Sequence, residues 1–259
     1  MRRTAILGLI LCILGSAGLW AQDVESWFAR ASDAKAYAGV KQDFILLAQK
    51  ALDAMHSDRP LAERLAEGAR KHVAPDRLLS ALSLEMGRLI EVASDIDARG
   101  LLPSDSGSAG NLMSQVGIAL RAGLLRRDID AAFDGSVKRV GSGQAARDRA
   151  VAVLSAVAGL SLSADQRYAL VGALAASPLP TPRFRGVRGT LADLLAQNMS
   201  PEEATKALIA SFSASPSIVT PKRSPEQNHE AVPDRTENRP EGSTAQKPSV
   251  EGGDHEGGD

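Results

Sequence analysis

Residues 66–82 are AEGARKHVAPDRLLSAL, and residues 192–208 are ADLLAQNMSPEEATKAL. Each stretch contains the end of one amphipathic pattern, a short break, and a proline where the next pattern begins. Proline is favoured at the first position of a helix because the N–H group that it lacks would have no intrahelical partner there. Both stretches therefore predict a helix, a short turn, and a second helix that begins at Pro75 or Pro201.

The two stretches align without a gap at an offset of 126 residues, from 66 to 192. Pro75 matches Pro201, and Leu82 matches Leu208. A fainter copy at Phe133–Arg149 (FDGSVKRVGSGQAARDR) lacks the proline. A single helix–turn–helix unit cannot bury its apolar stripe alone, so repeated units must stack. The sequence thus predicts an all-α fold of stacked helix–turn–helix pairs, either a short solenoid or an irregular helical bundle.

The composition agrees with this fold class. Hydrophobic residues make up 44% of the 259 residues, but aromatic residues only 3%. A core of Ala, Leu, Val and Ile suits close packing of helices better than a β-sandwich. The formal net charge is -1, whereas nucleic-acid binding normally requires a basic face. No nucleic-acid partner is predicted.

The first 21 residues have the three parts of a secretory signal. They are basic residues at the start, an apolar run over 5–14 that contains the chain's only cysteine, and small residues before Ala21. Cleavage is expected after Ala21, with Ala17 as the alternative. An N-terminal membrane anchor is also considered, but the apolar run is shorter than the roughly 20 residues that a span needs. We expect an exported protein, periplasmic or secreted.

An all-helical domain is predicted over residues 22–213. Its first helix is expected to run from Trp27 to Met55, because apolar residues recur there every three or four positions. The turn-rich segment 103–110 (PSDSGSAG) interrupts the periodic pattern and is the candidate hinge. Helices are expected to resume at Asn111.

Residues 214–259 have a different composition. They hold six of the chain's thirteen prolines, almost no large apolar residues, and five Lys or Arg against nine Asp or Glu. Such a segment cannot bury enough apolar surface to offset its ordering entropy. We therefore predict a disordered acidic tail. It ends in two copies of Glu-Gly-Gly-Asp, at Glu251 and Glu256, for which a solubilising role is favoured over loose binding of divalent cations.

The sequence shows no pattern that assigns catalysis. The four histidines lack the spacing of a zinc site. Acidic residues that are close in sequence, such as Asp95 and Asp97, face different directions on a helix and do not form a pair across a cleft. A nucleophile elbow and a phosphate loop are both missing. We therefore assign no catalytic, cofactor-binding or metal-binding residue, and the chain leans towards a non-enzymatic role.

One segment has the residue types of a contact surface. Arg183, Phe184, Arg185 and Arg188 lie close together in the proline-rich stretch 177–189. Arginines around an aromatic ring in such a loop would contact an anionic partner: a lipid headgroup, an envelope polymer or an acidic protein face. The simpler interpretation is a solvated connection with the phenylalanine in the core.

These observations predict an exported, non-enzymatic binding or scaffold protein of a bacterial cell envelope, with an unidentified protein partner. Stacked helix pairs commonly present a surface for such partners. Two alternatives remain open. One is a small envelope hydrolase whose acidic residues come together from distant helices. The other is a peripheral membrane protein that uses the loop Arg183–Arg188.

Overall fold

The computed structural model describes residues 23–213 and contains no strand in that range. The predicted all-α fold is confirmed. The predicted signal peptide and the predicted tail both lie outside the described residues. Ten α-helices, numbered here in chain order, are α1 (Val24–Arg30), α2 (Lys41–Met55), α3 (Arg59–Arg70), α4 (Pro75–Ala98), α5 (Ser106–Arg121), α6 (Arg126–Val140), α7 (Gln144–Val157), α8 (Ala164–Ala176), α9 (Val187–Ala196) and α10 (Pro201–Ser213). Two 3-10 helices, Ser32–Val40 and Thr181–Gly186, complete the described part.

The helices stack in chain order. Each of α1 to α8 packs against the helix two positions further along the chain. The odd-numbered helices therefore follow one another in one layer, and the even-numbered helices form the second. Contacts between neighbours such as α3 and α4, α6 and α7, and α9 and α10 join the layers. A single hydrophobic core runs between them, from Val24 at the start to Phe212 at the end.

The two clearest repeats share their turn geometry. Helices α3 and α9 each end five residues before the proline that opens the next helix. Within both turns one residue has a left-handed backbone, His72 with φ 53° and Asn198 with φ 63°. These two residues are also 126 positions apart. A left-handed residue is a common way to end a helix because it reverses the chain and satisfies the last carbonyl groups. The sequence repeat is therefore also a structural repeat.

The third copy, Phe133–Arg149, keeps the helix–turn–helix order but not the turn. Helix α6 continues to Val140, and α7 begins at Gln144. Two glycines, Gly141 and Gly143, take the left-handed region in this turn, with φ 80° and 108°. Glycine adopts that region without a steric penalty. Ser142, which aligns with Pro75 in this copy, lies within the turn and not at the start of α7.

The predicted single helix from Trp27 to Met55 is wrong. Helix α1 ends at Arg30, Ala31 is extended with φ -75° and ψ 131°, and a 3-10 helix follows before α2. The break lets the ring of Tyr37 meet that of Trp27 edge to face, with centroids 5.8 Å apart. Ten residues of continuous α-helix would separate the two by about 15 Å. Packing of the aromatic rings therefore overrides the helical periodicity.

The predicted break over 103–110 is too long, because residues 106–110 are helical. Asp105 forms the N-cap of α5, and its carboxylate accepts a hydrogen bond from the Ser108 backbone N–H at 2.7 Å. This cap starts the helix at Ser106 rather than at Asn111. A hinge in the remaining connection stays a prediction.

Helices α6 and α8 approach each other closely at Gly135. A Cβ atom added to this glycine would lie 2.6 Å from the Cβ of Ala175. Real Cβ atoms do not come this close, so any larger residue would push the two helices apart. Gly135 therefore sets the distance between two consecutive members of the even-numbered layer.

We expect Gly135→Ala to lower the free energy of unfolding by about 1–3 kcal/mol, because the added methyl group overpacks the contact with α8. The matched control is Gly87→Ala on α4, where nothing lies within 4 Å of the added Cβ. That change should raise stability by up to ~1 kcal/mol through helix propensity alone. Urea denaturation followed by circular dichroism measures both. Equal stabilisation by the two substitutions would contradict the close approach.

Candidate functional site

A buried arginine on α7 organises the segment that the sequence singled out. The Arg149 side chain is only 4% exposed. Its guanidinium donates hydrogen bonds to the carbonyl oxygens of Leu174 at 3.0 Å, Ala175 at 2.9 Å, Ser177 at 2.5 Å and Leu179 at 2.9 Å. The last carbonyl groups of a helix have no intrahelical partners. Arg149 supplies partners at the end of α8 and fixes the connection that follows.

The ring of Phe184 packs on this guanidinium. The ring centroid lies 4.9 Å from the guanidinium carbon, and Phe184 is only 1% exposed. Burial, followed by the charge of Arg139, lowers the pKa of Arg149. The side chain nevertheless stays cationic, since arginine does not lose its proton in proteins. Its charge is balanced by carbonyl dipoles at a helix C-terminus and by the aromatic face.

Arg188 donates hydrogen bonds to the end of α7, much as Arg149 does to the end of α8. Its Nη2 donates to the carbonyl oxygens of Ser155, at 3.2 Å, and Ala158 at the C-terminal end of α7. Arg188 belongs to α9 and not to an irregular loop, which corrects the predicted position. Phe184 lies in the core, as the simpler interpretation of the segment expected. Two of the four predicted contact residues therefore have defined packing roles.

An open cavity of about 510 Å³ lies between α7 and the segment from the second 3-10 helix to α9. Its wall on α7 is made of small residues, and the opposite wall carries Phe184 and two arginines. The lining residues are Ala152, Ser155, Ala156, Thr181, Pro182, Phe184, Arg185 and Arg188. We call this cavity the arginine groove. Arg183 is exposed but does not line it.

The segment that forms the wall of the arginine groove opposite α7 is positively charged. Arg183 and Arg185 are both exposed and form no ion pair with residues 23–213. The sequence between Asp165 and Asp193 contains four arginines and no acidic residue. A planar guanidinium can bind a carboxylate through two hydrogen bonds. The apolar surface beside it can contact the part of the ligand that carries the carboxylate. The groove can therefore hold an anionic ligand that also has an apolar or backbone portion.

Several acidic residues elsewhere are engaged by arginines. Arg99 lies between Asp130 at 3.0 Å and Asp134 at 2.7 Å, and Arg126 contacts Asp95 at 2.6 Å. These pairs join α4 and its C-cap to α6. In the part of the chain that the structure describes, no three His, Cys, Asp or Glu side chains are grouped as a metal site would require. Asp95, Asp130 and Asp134 thus take part in packing α4 against α6.

Sequence reasoning missed Arg149. A detectable signal was present, because Arg149 falls on the apolar stripe of α7 between the buried Ala146 and Val153. An arginine in such a position needs several hydrogen-bond acceptors. The pattern gives no indication of which acceptors those are, since they come from the end of a helix that starts fifteen residues later and from the connection after it.

No family model, curated protein or solved structure shows significant similarity to this chain. Over residues 23–213, every helix is too short or too polar to cross a bilayer. The arginine groove and its charge are therefore the basis for a functional inference.

We expect Arg149→Met to lower the free energy of unfolding by at least about 3 kcal/mol, because it leaves buried carbonyl groups without partners. Arg183→Met is the matched control. It replaces an exposed arginine of the same segment and should change stability by less than about 0.5 kcal/mol. Denaturant unfolding of the two variants measures the difference. Similar values would show that the contacts of Arg149 do not stabilise the fold.

Proposed function

We propose that the protein is an exported, non-enzymatic binding protein of a bacterial cell envelope, and that its arginine groove receives an acidic, extended segment of a protein partner. The observation that carries this proposal is Arg185. It is exposed at the edge of an apolar groove and has no ion-pair partner among residues 23–213. The export and the envelope location rest on the sequence of the first 21 residues.

The guanidinium of Arg188 and the backbone that carries Arg185 are held in position before any ligand binds. The second 3-10 helix carries Arg185, and its central residue Phe184 is packed on Arg149. Arg188 contacts the end of α7 through Nη2, so its remaining N–H groups are available for a ligand as far as the described residues show. Preorganised donors reduce the entropy that binding costs. A carboxylate can therefore bind here without a large rearrangement.

The shape of the groove favours a peptide segment. Ala152 and Ala156 on α7 are small enough for a main chain to come close, and the exposed Ser155 hydroxyl can hydrogen-bond to it. A volume of about 510 Å³ falls within the range of sites that accept a few side chains. The alternative ligand is a lipid headgroup that contacts the same arginines. The experiment must distinguish binding of lipid from binding of a peptide.

We expect a labelled peptide with four glycine-spaced acidic residues to bind the full chain, and a matched peptide with Gln and Asn in their place not to bind. Arg185→Gln should weaken binding about tenfold, because it removes a charge-assisted contact. The control Arg77→Gln changes the charge equally at an exposed position on α4 and should leave binding unchanged. Fluorescence anisotropy at low and high salt measures the affinities.

Vesicles containing phosphatidylglycerol provide the second arm of this experiment. Binding to these vesicles but not to the acidic peptide, with loss in Arg185→Gln, would favour the peripheral membrane protein instead. Binding to neither probe, or binding that Arg185→Gln and Arg77→Gln weaken equally, would refute the proposed groove.

A further inference from the structure

A second cavity, of about 270 Å³, lies between α2 and α4 in the even-numbered layer. Helix α2 contributes two leucines and, on the same face, one acidic and one basic residue, whereas α4 contributes a leucine and a serine. The lining residues are Asp43, Leu46, Leu47, Lys50, Leu79 and Ser83. We call this cavity the leucine groove. It shares no residue with the arginine groove.

The leucine groove presents apolar surface to water. Leu46 is 55% exposed, and Leu47 and Leu79 beside it are only partly buried. Covering such side chains is favourable by roughly 25 cal/mol for each Å² of apolar surface removed from water. Apolar side chains grouped in a groove with charged residues at its rim are typical of a contact between proteins.

The two charged residues of the groove have no ion-pair partner among residues 23–213. Asp43 and Lys50 are both exposed, and neither forms a salt bridge in this range. They are seven positions apart on α2, which is about 10 Å along a helix axis. They therefore lie on the same face of the helix but are too far apart to pair with each other.

The order of these residues along α2 is self-complementary. Leu46 and Leu47 are central, Asp43 lies three positions before them, and Lys50 lies three positions after them. When two identical surfaces meet about a two-fold axis, residue i of one copy contacts residue j of the other, and j contacts i. With the axis between Leu46 and Leu47, Asp43 of each copy faces Lys50 of the other. A parallel arrangement would place like charges together instead.

We infer that a second copy of the chain occupies the leucine groove, so that two copies form an antiparallel, two-fold symmetric dimer through α2. Leu46 of each copy then enters the groove between α2 and α4 of the other, and two reciprocal ion pairs close the ends of the contact. An interface centred on one pair of helices is at the small end of specific interfaces. The dimer is therefore reversible, and its population depends on concentration.

This inference goes beyond the proposed function and does not depend on it. Helices α2 and α4 contribute no residue to the arginine groove. Dimerisation can therefore be measured without any ligand of that groove, and failure of either idea leaves the other intact.

Sedimentation velocity of the full chain over a range of concentrations measures the dimer. We expect a monomer–dimer equilibrium that Leu46→Gln weakens by about tenfold or more, because both copies lose an apolar side chain that the other covers. The matched control is Leu84→Gln on α4. Leu84 is 69% exposed but does not line the groove, so this change should leave dimerisation unchanged. Equal weakening by the two substitutions, or a monomer at every concentration, would overturn the inference.

The ion pairs are tested by reversing one charge at a time. Asp43→Lys places two cations together at both ends of the antiparallel contact, and Lys50→Asp places two anions there. Each variant alone should therefore be monomeric. An equimolar mixture of the two variants should form a heterodimer, because every pair across the interface then joins a cation to an anion.

The double variant Asp43→Lys with Lys50→Asp should dimerise like the unmodified chain, since it exchanges the two charges and keeps both pairs. Lys35→Asp reverses the charge of an exposed residue outside the groove and is the control that should leave the dimer intact. Circular dichroism melting curves establish that each variant is folded. If neither the mixture nor the double variant associates, Asp43 and Lys50 do not meet across a two-fold axis, and the inference is wrong.

Discussion

The bonds from Arg149 to the end of α8 hold the region of the groove together. A helix on one side supplies the cation, and the next helix supplies the carbonyl groups of Leu174 and Ala175, of which that of Ala175 has no other partner among the described residues. The ring of Phe184 packs on the same guanidinium. Arg149 thus donates hydrogen bonds to carbonyl groups at the end of α8 and holds the proline-rich connection in place. It thereby fixes the position of the backbone that carries Arg185.

Local signals in the sequence predicted the helices well, and contacts between distant residues account for the errors. Pro75 and Pro201 open helices because the missing N–H group costs nothing at that position, which is a property of the residue itself. The break after Arg30 depends instead on Trp27 meeting Tyr37. The periodicity of a segment contains no information on such a contact.

The same distinction applies to the groove. The cluster of arginines around Phe184 drew attention to the segment that forms one wall of the groove, but not to the separate roles of its residues. Arg188 caps a helix only because α7 ends beside it, and Arg185 lines a cavity only because small residues of α7 form the opposite wall. These roles depend on the stacking order of the helices, which the spacing of residues in one segment does not determine.

The stacking of each helix on its near neighbours in the chain has a consequence for how the protein forms. Contacts that are short-range in sequence require little loop closure before they become favourable, and such topologies fold fast. In a layered array of this kind, a completed pair of helices can serve as the template for the next. We expect assembly to spread along the chain from one pair to the following one, with the two ends of the array opening most readily.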